Sequence, residues 1–563
     1  MGMLNTKISA IIALLWLATA LPAQDVSAPI HGLSRQWTER LSVISGQQLD
    51  LTSLPLSRAE IANFALRCQN SPQFFDRRDQ AGINYLLRDN NDYLPTDSLR
   101  HRTYKSHWFR HFYPHKAHLF EINQKDFVLR ADPILYVSAG EEINPGSYVF
   151  TNQRGAEVRA RIGERIHFYT SVVETQERFP TYIARWINTY SAIPGNGLYK
   201  GYTSSVTNLT GSDFNNSSGY IAAPITKQVG FQFGHGRHFI GQGYRSMFLS
   251  DFSNNYLYLK LRSKFWKFTY ENYFANFAES LARSNPFPNG TRRFAAFHHL
   301  NFAATKNWNI GIFEAVSYKR TGSMELQYFN PVILYRSVEH GFKSADNILV
   351  GADSDIRIGR RVKLYGQFLL DEFLFASLYR PEQKGWWGNK IATQLGATYY
   401  NAFGVPHLDV RVEWNSATPY TYSHLDSLSN WTHFGQPLAH PLGANFREIL
   451  SIATWQIHPK WMVEMRYFNF VRGDDINGQN WGGDPNLTYN SRPNEYGNFI
   501  GQGDRSHVQI LGGAVNWQLA HNIFLDARVM WRRQNNNLDG RDLNNVIFGG
   551  GIRINQWYRD NHF

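Results

Sequence analysis

The sequence predicts an all-β transmembrane barrel of about 16 to 18 antiparallel strands, preceded by a small α-helical segment. Three observations support this prediction. Many segments alternate between apolar and polar side chains, with the period of two that a strand shows to its two faces. Short charged connections alternate with long polar ones. Aromatic residues make up 15% of the 563 residues and charged residues only 18%, which suits a barrel with aromatic girdles and a polar lumen.

Residues 1–23 form the first element, which we predict to be a cleaved export signal. Lys7 precedes a mostly apolar stretch from Ile8 to Leu21, and Ala23 supplies a small residue for cleavage. This stretch is shorter than a membrane span needs, so we expect removal rather than anchoring. The single cysteine, Cys68, lies far from the cleavage region, which argues against a lipid-anchored N-terminus and excludes an intrachain disulfide.

Residues 24–126 form the second element, a predicted helical segment with a basic connector. Ser57 has the features of an N-cap, and Glu60 follows at the spacing of a capping box. Helical stripes follow at Ile61, Phe64, Ala65 and Cys68, and then within Gln73 to Tyr93 at Phe75, Ile83, Leu86 and Leu87. We expect these helices to cover the periplasmic mouth of the barrel or partly to plug its lumen.

A group of histidines lies in the connector, namely His101, His107, His111, His115 and His118. Their spacing resembles that of a metal site on a helix. However, Pro114 would break that helix, and Arg110 and Lys116 place positive charge beside any cation. We therefore predict no metal site, and expect the connector to lie under the barrel or against anionic headgroups.

Residues 127–563 form the third element, the predicted barrel. In Leu408 to Asn415 an apolar wall alternates with a charged one, and Trp461 to Tyr467 and Ile523 to Arg532 repeat the pattern. The last alternating segment approaches the terminal residue Phe563, and a terminal aromatic is common in barrel-assembly substrates. The predicted inward cations include Arg411, Arg528 and Arg553.

The lengths of the connections between strands predict that one end of the barrel carries short turns and the other carries long loops. The alternation changes phase near Ser263-Lys264, which predicts a hairpin turn there. Other short turns are predicted at 163–165, 305–307, 360–361, 401–407, 458–460 and 520–522, with one more between 179 and 256. Long connections include 195–223, 414–446 and 471–505. This asymmetry is typical of outer-membrane barrels and not of a secreted propeller or sandwich, which would show a regular repeat.

A nearly duplicated octet marks two of the long connections. Phe239 to Ser246 reads FIGQGYRS, and Phe499 to Ser506 reads FIGQGDRS. We call these the first and second octets. Two interpretations stay open: inward-folded loops that pack on each other at the rim, or a shared device that contacts a ligand. The first octet and the residues just before it contribute candidate ligand-binding side chains, namely Arg237, His238, Tyr244 and Arg245.

The long loops also carry aromatic and polar residues that suit sugar recognition, because rings cover C–H surfaces and polar groups bond to hydroxyls. The best pair is Trp386 and Trp387, since adjacent rings on a strand point to opposite faces and one of them cannot face lipid. Each tryptophan has the alternative role of an interfacial girdle residue. The remaining candidates are Asn389 and Lys390, Trp431 and His433, and Trp481, Asp484 and Arg492.

These motifs resemble a known family. The stretch from Gly236 to Asp251, the later FGQPLAHPLGANFRE from Phe434 to Glu448, and the order of signal, helices and strands are similar to the capsule-assembly Wzi family. The closer resemblance is to relatives of that family associated with gliding motility, the RemB-type proteins. The resemblance covers most of the mature chain. It implies an 18-stranded outer-membrane barrel with a periplasmic helical bundle, no enzymatic role, and lectin-like retention of polysaccharide, or a role in adhesion and gliding.

Composition and motifs narrow the function further. The net charge of +12 suits acidic partners such as lipopolysaccharide or an anionic polysaccharide, or a basic lumen lining. No G-x-S-x-G or H-E-x-x-H motif is present, so we predict no catalytic site. No cofactor or nucleic acid is expected. Two alternatives to a polysaccharide-binding or adhesion-associated barrel remain: a diffusion channel for anionic solutes, and an accessory subunit of an export or motility machine. The expected location is the cell outer membrane.

Overall fold

The computed structural model describes residues 24–94, 117–163, 165–203, 208–278, 291–321, 324–332, 334–342, 346–538, 541–557 and 561–563. Eighteen antiparallel strands close into a barrel. In chain order, β1 to β18 are Phe127–Ile143, Ser147–Ile162, Ile166–Arg178, Thr210–Pro224, Val229–Gly236, Tyr256–Phe265, Phe268–Phe277, Thr291–Thr305, Trp308–Thr321, Asn347–Ile358, Val362–Glu372, Lys390–Tyr399, Leu408–Ala417, Phe446–His458, Trp461–Asp474, Asp504–Ala520, Ile523–Asn536 and Leu543–Ile554. The barrel closes where β18 pairs with β1, from Val546↔Ile143 to Ile554↔Leu135.

Shorter elements complete the chain. The helices α1 to α6 are Leu33–Ser45, Arg58–Gln69, Arg77–Asp89, Thr181–Tyr190, Tyr335–Phe342 and Ala376–Tyr379. Short strands lie at Ser53–Leu54, Phe120–Asn123, Lys200–Thr203, Phe239–Ile240, Thr432–His433 and Gln436–Pro437. Single turns of 3-10 helix lie at Pro72–Phe74, Asn91–Tyr93, Leu326–Phe329, Pro381–Gln383, Ala402–Gly404, Ser427–Ser429 and Tyr489–Ser491. Among the described residues, no helix is both long enough and apolar enough to cross a membrane.

The predicted asymmetry of the connections is confirmed. Short turns join β2 to β3, β4 to β5, and so on to β16 and β17, all at one end of the barrel, which we call the short-turn end. The turn expected between 179 and 256 lies at 225–228. One predicted turn is wrong: Ser263 and Lys264 still pair with Tyr270 and Thr269, and the chain reverses at Trp266-Lys267, where Trp266 has a φ of 51°.

The alternation of faces is also confirmed. On β13, Val412 is 43% exposed on the outer wall, whereas Glu413 is fully buried in the lumen. On β17, Val529 is 50% exposed while Asp526 is buried. Because the outward side chains are apolar and the inward ones polar, the barrel presents a hydrocarbon-compatible exterior around a polar interior.

The N-terminal helices differ in part from the prediction. Helix α2 begins as expected, with the Ser57 hydroxyl accepting from the Glu60 amide at 3.1 Å. The Glu60 carboxylate does not complete a capping box, because it binds the Arg262 guanidinium of β6 at 3.0 Å. Helix α3 is shorter than Gln73 to Tyr93 and carries the complete capping box itself, between Asp76 and Asp79. Helix α1 was not predicted.

These helices lie at the short-turn end and bond to the barrel. In α1, the Arg40 guanidinium contacts the Asp409 carboxylate at 2.5 Å, and Glu39 contacts Arg411 at 2.6 Å. The Tyr85 hydroxyl of α3 donates to Asn522 in the turn before β17 at 2.7 Å. The helical segment therefore occupies the short-turn mouth and reaches the inner wall.

Protein also fills much of the lumen beyond the helices. The loop before β6, the loop before β14 and α4 pack with inward side chains of the wall into one apolar cluster, which includes Met247, Phe248, Tyr182, Trp431 and Leu438. The chain end joins them: β18 stops at Ile554, and Phe563, only 7% exposed, packs at 5.7 Å from Trp186. The terminal aromatic thus belongs to the lumen packing and not to the last strand.

A second segment covers the barrel from outside. Residues 324–332 and 334–342, which we call the strap, belong to the connection between β9 and β10. Glu314 shares the outward face of β9 with Ile312, which is 55% exposed, yet Glu314 itself is 3% exposed. Its carboxylate accepts the first amides of α5, from Tyr335 at 3.1 Å and Arg336 at 3.2 Å, and contacts His298 at 3.1 Å. The strap therefore shields polar groups of the outer wall.

Candidate functional site

The predicted site residues fall into two groups. One group lies within the lumen, with Arg237 and Tyr244 half-buried and the others buried, and it consists of Arg237, His238, Tyr244, Arg245, Trp431 and His433. The other lies in the loops opposite the short-turn end, which we call the long-loop face, and it consists of Trp386, Trp387, Asn389, Trp481 and Asp484. The structure does not gather the two groups into one site.

Arg237 and His238 hold the start of the loop before β6. The Arg237 guanidinium donates to Asn255 Oδ1 at 2.9 Å and to the Asp251 carbonyl at 3.1 Å. The His238 ring is 1% exposed and packs edge-on against Tyr258, with ring centroids 4.4 Å apart. Burial holds the pKa of His238 well below its usual value, so the ring is a neutral packing element at neutral pH.

Tyr244 and Arg245 anchor the first octet to the lumen wall. Their amides donate to the Glu413 carboxylate at 2.8 and 3.0 Å. The Arg245 guanidinium, 6% exposed, contacts Glu448 Oε1 at 3.2 Å, and His440 contacts the other oxygen of Glu448 at 2.8 Å. We call Arg245, Glu448 and His440 the lumen triad. Buried charges that are paired in this way fix the position of a loop.

Trp431 and His433 are also packing residues. The Trp431 ring is fully buried, and its indole N–H donates to the Phe248 carbonyl at 2.8 Å. The His433 Nδ1 accepts from the Ala278 amide at 2.9 Å, so Nε2 carries the proton and donates to the Asn255 carbonyl at 3.1 Å. Burial lowers the pKa of His433 to about 3. Trp431 therefore lies neither in a membrane girdle nor on an exposed surface.

Trp386 and Trp387 form the core of an aromatic cluster on the long-loop face. Both indole N–H groups donate to Glu495 Oε1, at 3.1 and 2.9 Å. The Arg492 guanidinium contacts the second Glu495 oxygen at 2.6 Å and lies 4.1 Å from the centroid of the Trp387 ring. Tyr489 packs on Trp387, with centroids 4.4 Å apart. We call these five residues the Trp386 cluster.

The expected geometry of the two tryptophans is wrong. They lie in the turn before β12 and not on a strand, so they do not point to opposite faces. A shared carboxylate orients both rings instead. Trp387 is 8% exposed beneath Arg492 and Tyr489, whereas Trp386 is half-buried and retains an accessible ring. Trp386 is therefore the platform of the cluster, and Trp387 supports it.

The remaining candidates shape the surrounding loops. Asn389 accepts from the Leu374 amide at 3.0 Å and donates to Ser377, which closes the loop before β12. The Trp481 amide donates to Asp475 at 2.7 Å, and Asp484 accepts from the Asn486 amide at 2.9 Å. Burial raises the pKa of Asp484, and that of Asp475 to about 6. These acids stabilise turns of the chain.

Sequence reasoning missed Glu495 and Tyr489, and it grouped Arg492 with Trp481 and Asp484 and not with the two tryptophans. Arg492 and Glu495 have a local signal, since charges of opposite sign three positions apart can pair. Their meeting with Trp386 has none, because 109 positions separate Glu495 from that residue. Only the closure of the barrel brings the two loops together.

The two octets make different contacts. The first pairs with Ser53–Leu54 of the N-terminal segment through Phe239 and Ile240. The second lies at the start of β16, where the Gly501 amide donates to Asn445 Oδ1 at 2.7 Å. Within the described part of the chain, no hydrogen bond joins one octet to the other, so the expected mutual packing at the rim gains no support.

The inward arginines that suggested an anion channel all have partners. Arg411 contacts Glu39 of α1, and Arg553 contacts Asp526 at 3.3 Å and Asn516 at 2.7 Å. Arg528 contacts Asp526 at 3.2 Å. Each of these arginines therefore contacts a carboxylate, and Arg528 and Arg553 share the one of Asp526.

Two groups of residues bear on metal binding. Of the predicted histidines, His101, His107, His111 and His115 lie outside the described residues, and His118 contacts the Asp132 carboxylate at 2.7 Å. Asp76, Asp79 and His407 also lie close together. There, Asp76 caps α3 and Asp79 contacts the Arg40 guanidinium at 3.0 Å. The arginine and the helix amides already use these carboxylates, which disfavours a cation.

Comparison with solved structures identifies the fold. Wzi of Escherichia coli, described as an outer-membrane protein involved in group 1 capsule assembly and a carbohydrate-binding β-barrel, superimposes with a TM-score of 0.55 at 13% identity, covering 94% of this chain and 99% of that one. OprD of Pseudomonas aeruginosa gives 0.41 at 10% identity over 76% and 92% of the two chains. OccAB2 of Acinetobacter baumannii gives 0.40 at 10% identity over 76% and 97%.

No family model and no curated protein sequence matches the chain. The arrangement of the strands identifies the fold, because they form a closed barrel without a free edge and turn apolar side chains outward. The chain is an 18-stranded outer-membrane barrel that shares the fold of Wzi over nearly its whole length.

Proposed function

We propose that this protein is a non-enzymatic outer-membrane barrel that holds surface polysaccharide at its long-loop face. The Trp386 cluster carries the proposal. It presents an accessible indole ring beside a carboxylate and a guanidinium, both part-exposed, with Glu495 at 47% and Arg492 at 21% of their side chains. A flat apolar ring flanked by charged hydrogen-bonding groups suits a sugar, whose C–H face and hydroxyls need both.

Two further observations support the proposal. Wzi, whose fold this chain shares, is described as carbohydrate-binding. The net charge of +12 favours association with acidic polymers and with lipopolysaccharide phosphates. The resemblance to RemB-type members adds adhesion or gliding as the physiological setting of the same surface, and export or motility proteins as its partners.

The orientation follows from the barrel. Outer-membrane barrels place their short turns in the periplasm and their long loops outside the cell. We accordingly propose that the segment of residues 24–126 is periplasmic and that residues 1–23 are its removed export signal. The long-loop face and the Trp386 cluster then lie at the cell surface, where polysaccharide is retained.

Co-sedimentation tests this function directly. Purified protein is mixed with capsular or exopolysaccharide from an encapsulated bacterium, and bound protein is quantified for wild type, Trp386→Ala and Glu495→Gln. Loss of one stacking ring costs about 0.5–1.5 kcal/mol, so we expect roughly two- to tenfold weaker binding for Trp386→Ala. Trp461→Ala is the matched control, because Trp461 stacks on Trp517 on the outer wall, with centroids 5.1 Å apart.

Equal binding by wild type and Trp386→Ala would contradict the role of the cluster. A strain that lacks the protein distinguishes a capsule role from a gliding role. Loss of retained polysaccharide supports the capsule role, and loss of surface spreading alone supports gliding. A diffusion channel for anions receives less support, because the arginines proposed to line it are paired. Large steady currents of purified protein in planar bilayers would reverse that judgement.

A further inference from the structure

The described residues of the helices, the loops and the chain end leave one sector of the lumen unfilled. A cavity of about 540 Å³ runs along the inner wall of β1 to β4 and continues to β16 and β18. Its volume lies within the range of about 300–1,000 Å³ that is usual for small-molecule sites. It extends from Arg58 of α2 to Phe179 at the long-loop end of β3, so it spans much of the barrel height.

Small inward residues create this space. Gly140 of β1 and Gly549 of β18 pair directly, and Gly512 of β16 occupies an inward position opposite Arg466. All three line the cavity. A Cβ added at Gly512 would meet no atom nearer than 3.9 Å. The wall at this position therefore leaves room that a larger side chain would fill.

Two aromatic pairs lie further along this wall, on the side of β3 and β4. Tyr169 of β3 and Tyr220 of β4 stack, with centroids 5.2 Å apart, and Phe179 and Phe214 stack at 6.3 Å nearer the long-loop face. Tyr220 and Phe214 are six residues apart on one strand face, which places the pairs about 20 Å apart. Hydroxyl and amide groups lie between them, including the hydrogen-bonded pair Ser171 and Ser218.

The charges around the cavity compensate each other. Among the described residues, six arginines and six Asp or Glu side chains line it, and no lysine does. Arg58 contacts Asp89 at 3.0 Å, and Arg466 contacts Glu464 at 2.5 Å. The +12 charge of the whole chain is thus not expressed in this cavity. A lining with this balance has no net charge for a polyanion to neutralise.

We infer that the cavity is a second binding site, for a neutral oligosaccharide. Aromatic pairs at two levels, hydroxyl and amide groups between them, and compensated charge match a chain of uncharged sugar rings better than an anionic or an apolar ligand. The site shares no residue with the Trp386 cluster, so this inference does not rest on the proposed function.

Adjacent glycines of β16 give a matched test. Gly512 faces the lumen, and Gly513 faces outward, where it pairs with the exposed Met465 and Val529. Full-length Gly512→Leu and Gly513→Leu proteins in detergent are titrated calorimetrically with neutral pentasaccharides of glucose, mannose and galactose, and with oligogalacturonate of the same length. We expect the wild type to bind a neutral pentasaccharide at least tenfold more tightly than oligogalacturonate, Gly512→Leu to lose that binding at least tenfold, and Gly513→Leu to keep it.

A second variant controls for the case in which Gly512→Leu fails to fold. Phe214→Ala removes one ring of the upper pair without adding bulk and should weaken pentasaccharide binding severalfold, while Trp386→Ala should not change it. The inference is overturned if the folded wild type binds none of the neutral pentasaccharides, if oligogalacturonate binds as tightly, or if Gly512→Leu and Phe214→Ala, both folded, bind as the wild type does. Loss of polysaccharide co-sedimentation in Trp386→Ala alone would bear only on the proposed function.

Discussion

The first and second octets differ at a single position, Tyr244 against Asp504, yet they lie in opposite environments. Phe239 is 1% exposed among the N-terminal helices, and its counterpart Phe499 is 60% exposed. Arg245 is buried in the lumen triad, whereas Arg505 is exposed. Similar local sequence therefore does not determine burial here. Each octet takes its environment from the partners that the barrel brings to it, namely Glu413 and Glu448 for the first, and Asn445 and Trp481 for the second.

The arginines should give the largest difference between the octets. Arg245→Ala leaves the fully buried Glu448 without its arginine partner, and removing one member of a buried pair costs about 3–5 kcal/mol of unfolding free energy. Arg505→Ala changes an exposed side chain and should cost no more than about 0.5 kcal/mol. Urea unfolding of both variants in detergent measures the two costs. Similar losses would show that the environments differ less than the structure indicates.

The lumen triad, which holds the first octet, should also make the stability of the protein depend on pH. His440, in the lumen triad, is held by burial at a pKa of about 4 against an ordinary 6.5. The unfolded chain binds this proton more readily, so the contribution of His440 is complete above pH 6.5 and is lost as the pH falls towards 4. The loss is about 3 kcal/mol.

The matched variant for this prediction is His440→Gln, which cannot titrate. The wild type loses the contribution of His440 as the pH falls, and the variant does not. The difference between their unfolding free energies should therefore narrow by about 3 kcal/mol between pH 7.5 and pH 4. Other buried histidines, such as His424 and His433, titrate in both proteins and cancel. A difference that stays constant with pH would contradict the assignment of His440 as neutral in the folded protein.

The third residue of each octet should give the smallest contrast. Gly241 has a φ of 142° and Gly501 a φ of 84°, and both values favour glycine. A Cβ at Gly241 would lie 2.6 Å from Gln367 Nε2, whereas one at Gly501 would lie 3.2 Å from the Val471 side chain. We expect Gly241→Ala to cost about 1–3 kcal/mol and Gly501→Ala about 1 kcal/mol. Thermal unfolding of the two variants ranks them, and the reverse order would contradict the tighter packing of the first octet.

Local patterns predicted the barrel well. The faces of β13, β15 and β17 and most of the short turns follow from alternation over a few residues, which a strand imposes wherever its two walls meet different surroundings. The turn at Trp266-Lys267 was misplaced by a few residues, because Ser263 and Lys264 are polar residues that still continue the ladder. Helix α1 gave little signal, since it begins after Gly32 with no side-chain cap.

Long-range features of the candidate site could not be predicted in the same way. The contacts of Trp386 with Glu495 and of Arg245 with Glu448 join segments that are far apart in the sequence and that meet only in the closed barrel. From the sequence, Trp431 resembles an aromatic residue of an exposed loop. It is buried because its loop folds into the lumen. Residue type alone marks all of the tryptophans as candidates, whereas the roles of platform, support and packing residue depend on contacts between distant parts of the chain.

The strap makes the circumference of the barrel uneven. Over β7 to β10, the helix and loop of the strap lie between the strands and the acyl chains. Beneath the strap are the Glu314 carboxylate and the His298 imidazole, two polar groups that direct contact with hydrocarbon would exclude. A molecule that diffuses in the plane of the bilayer therefore meets two distinct flanks on this barrel. Rotation about the membrane normal, which is immaterial for a uniform cylinder, changes what such a neighbour encounters.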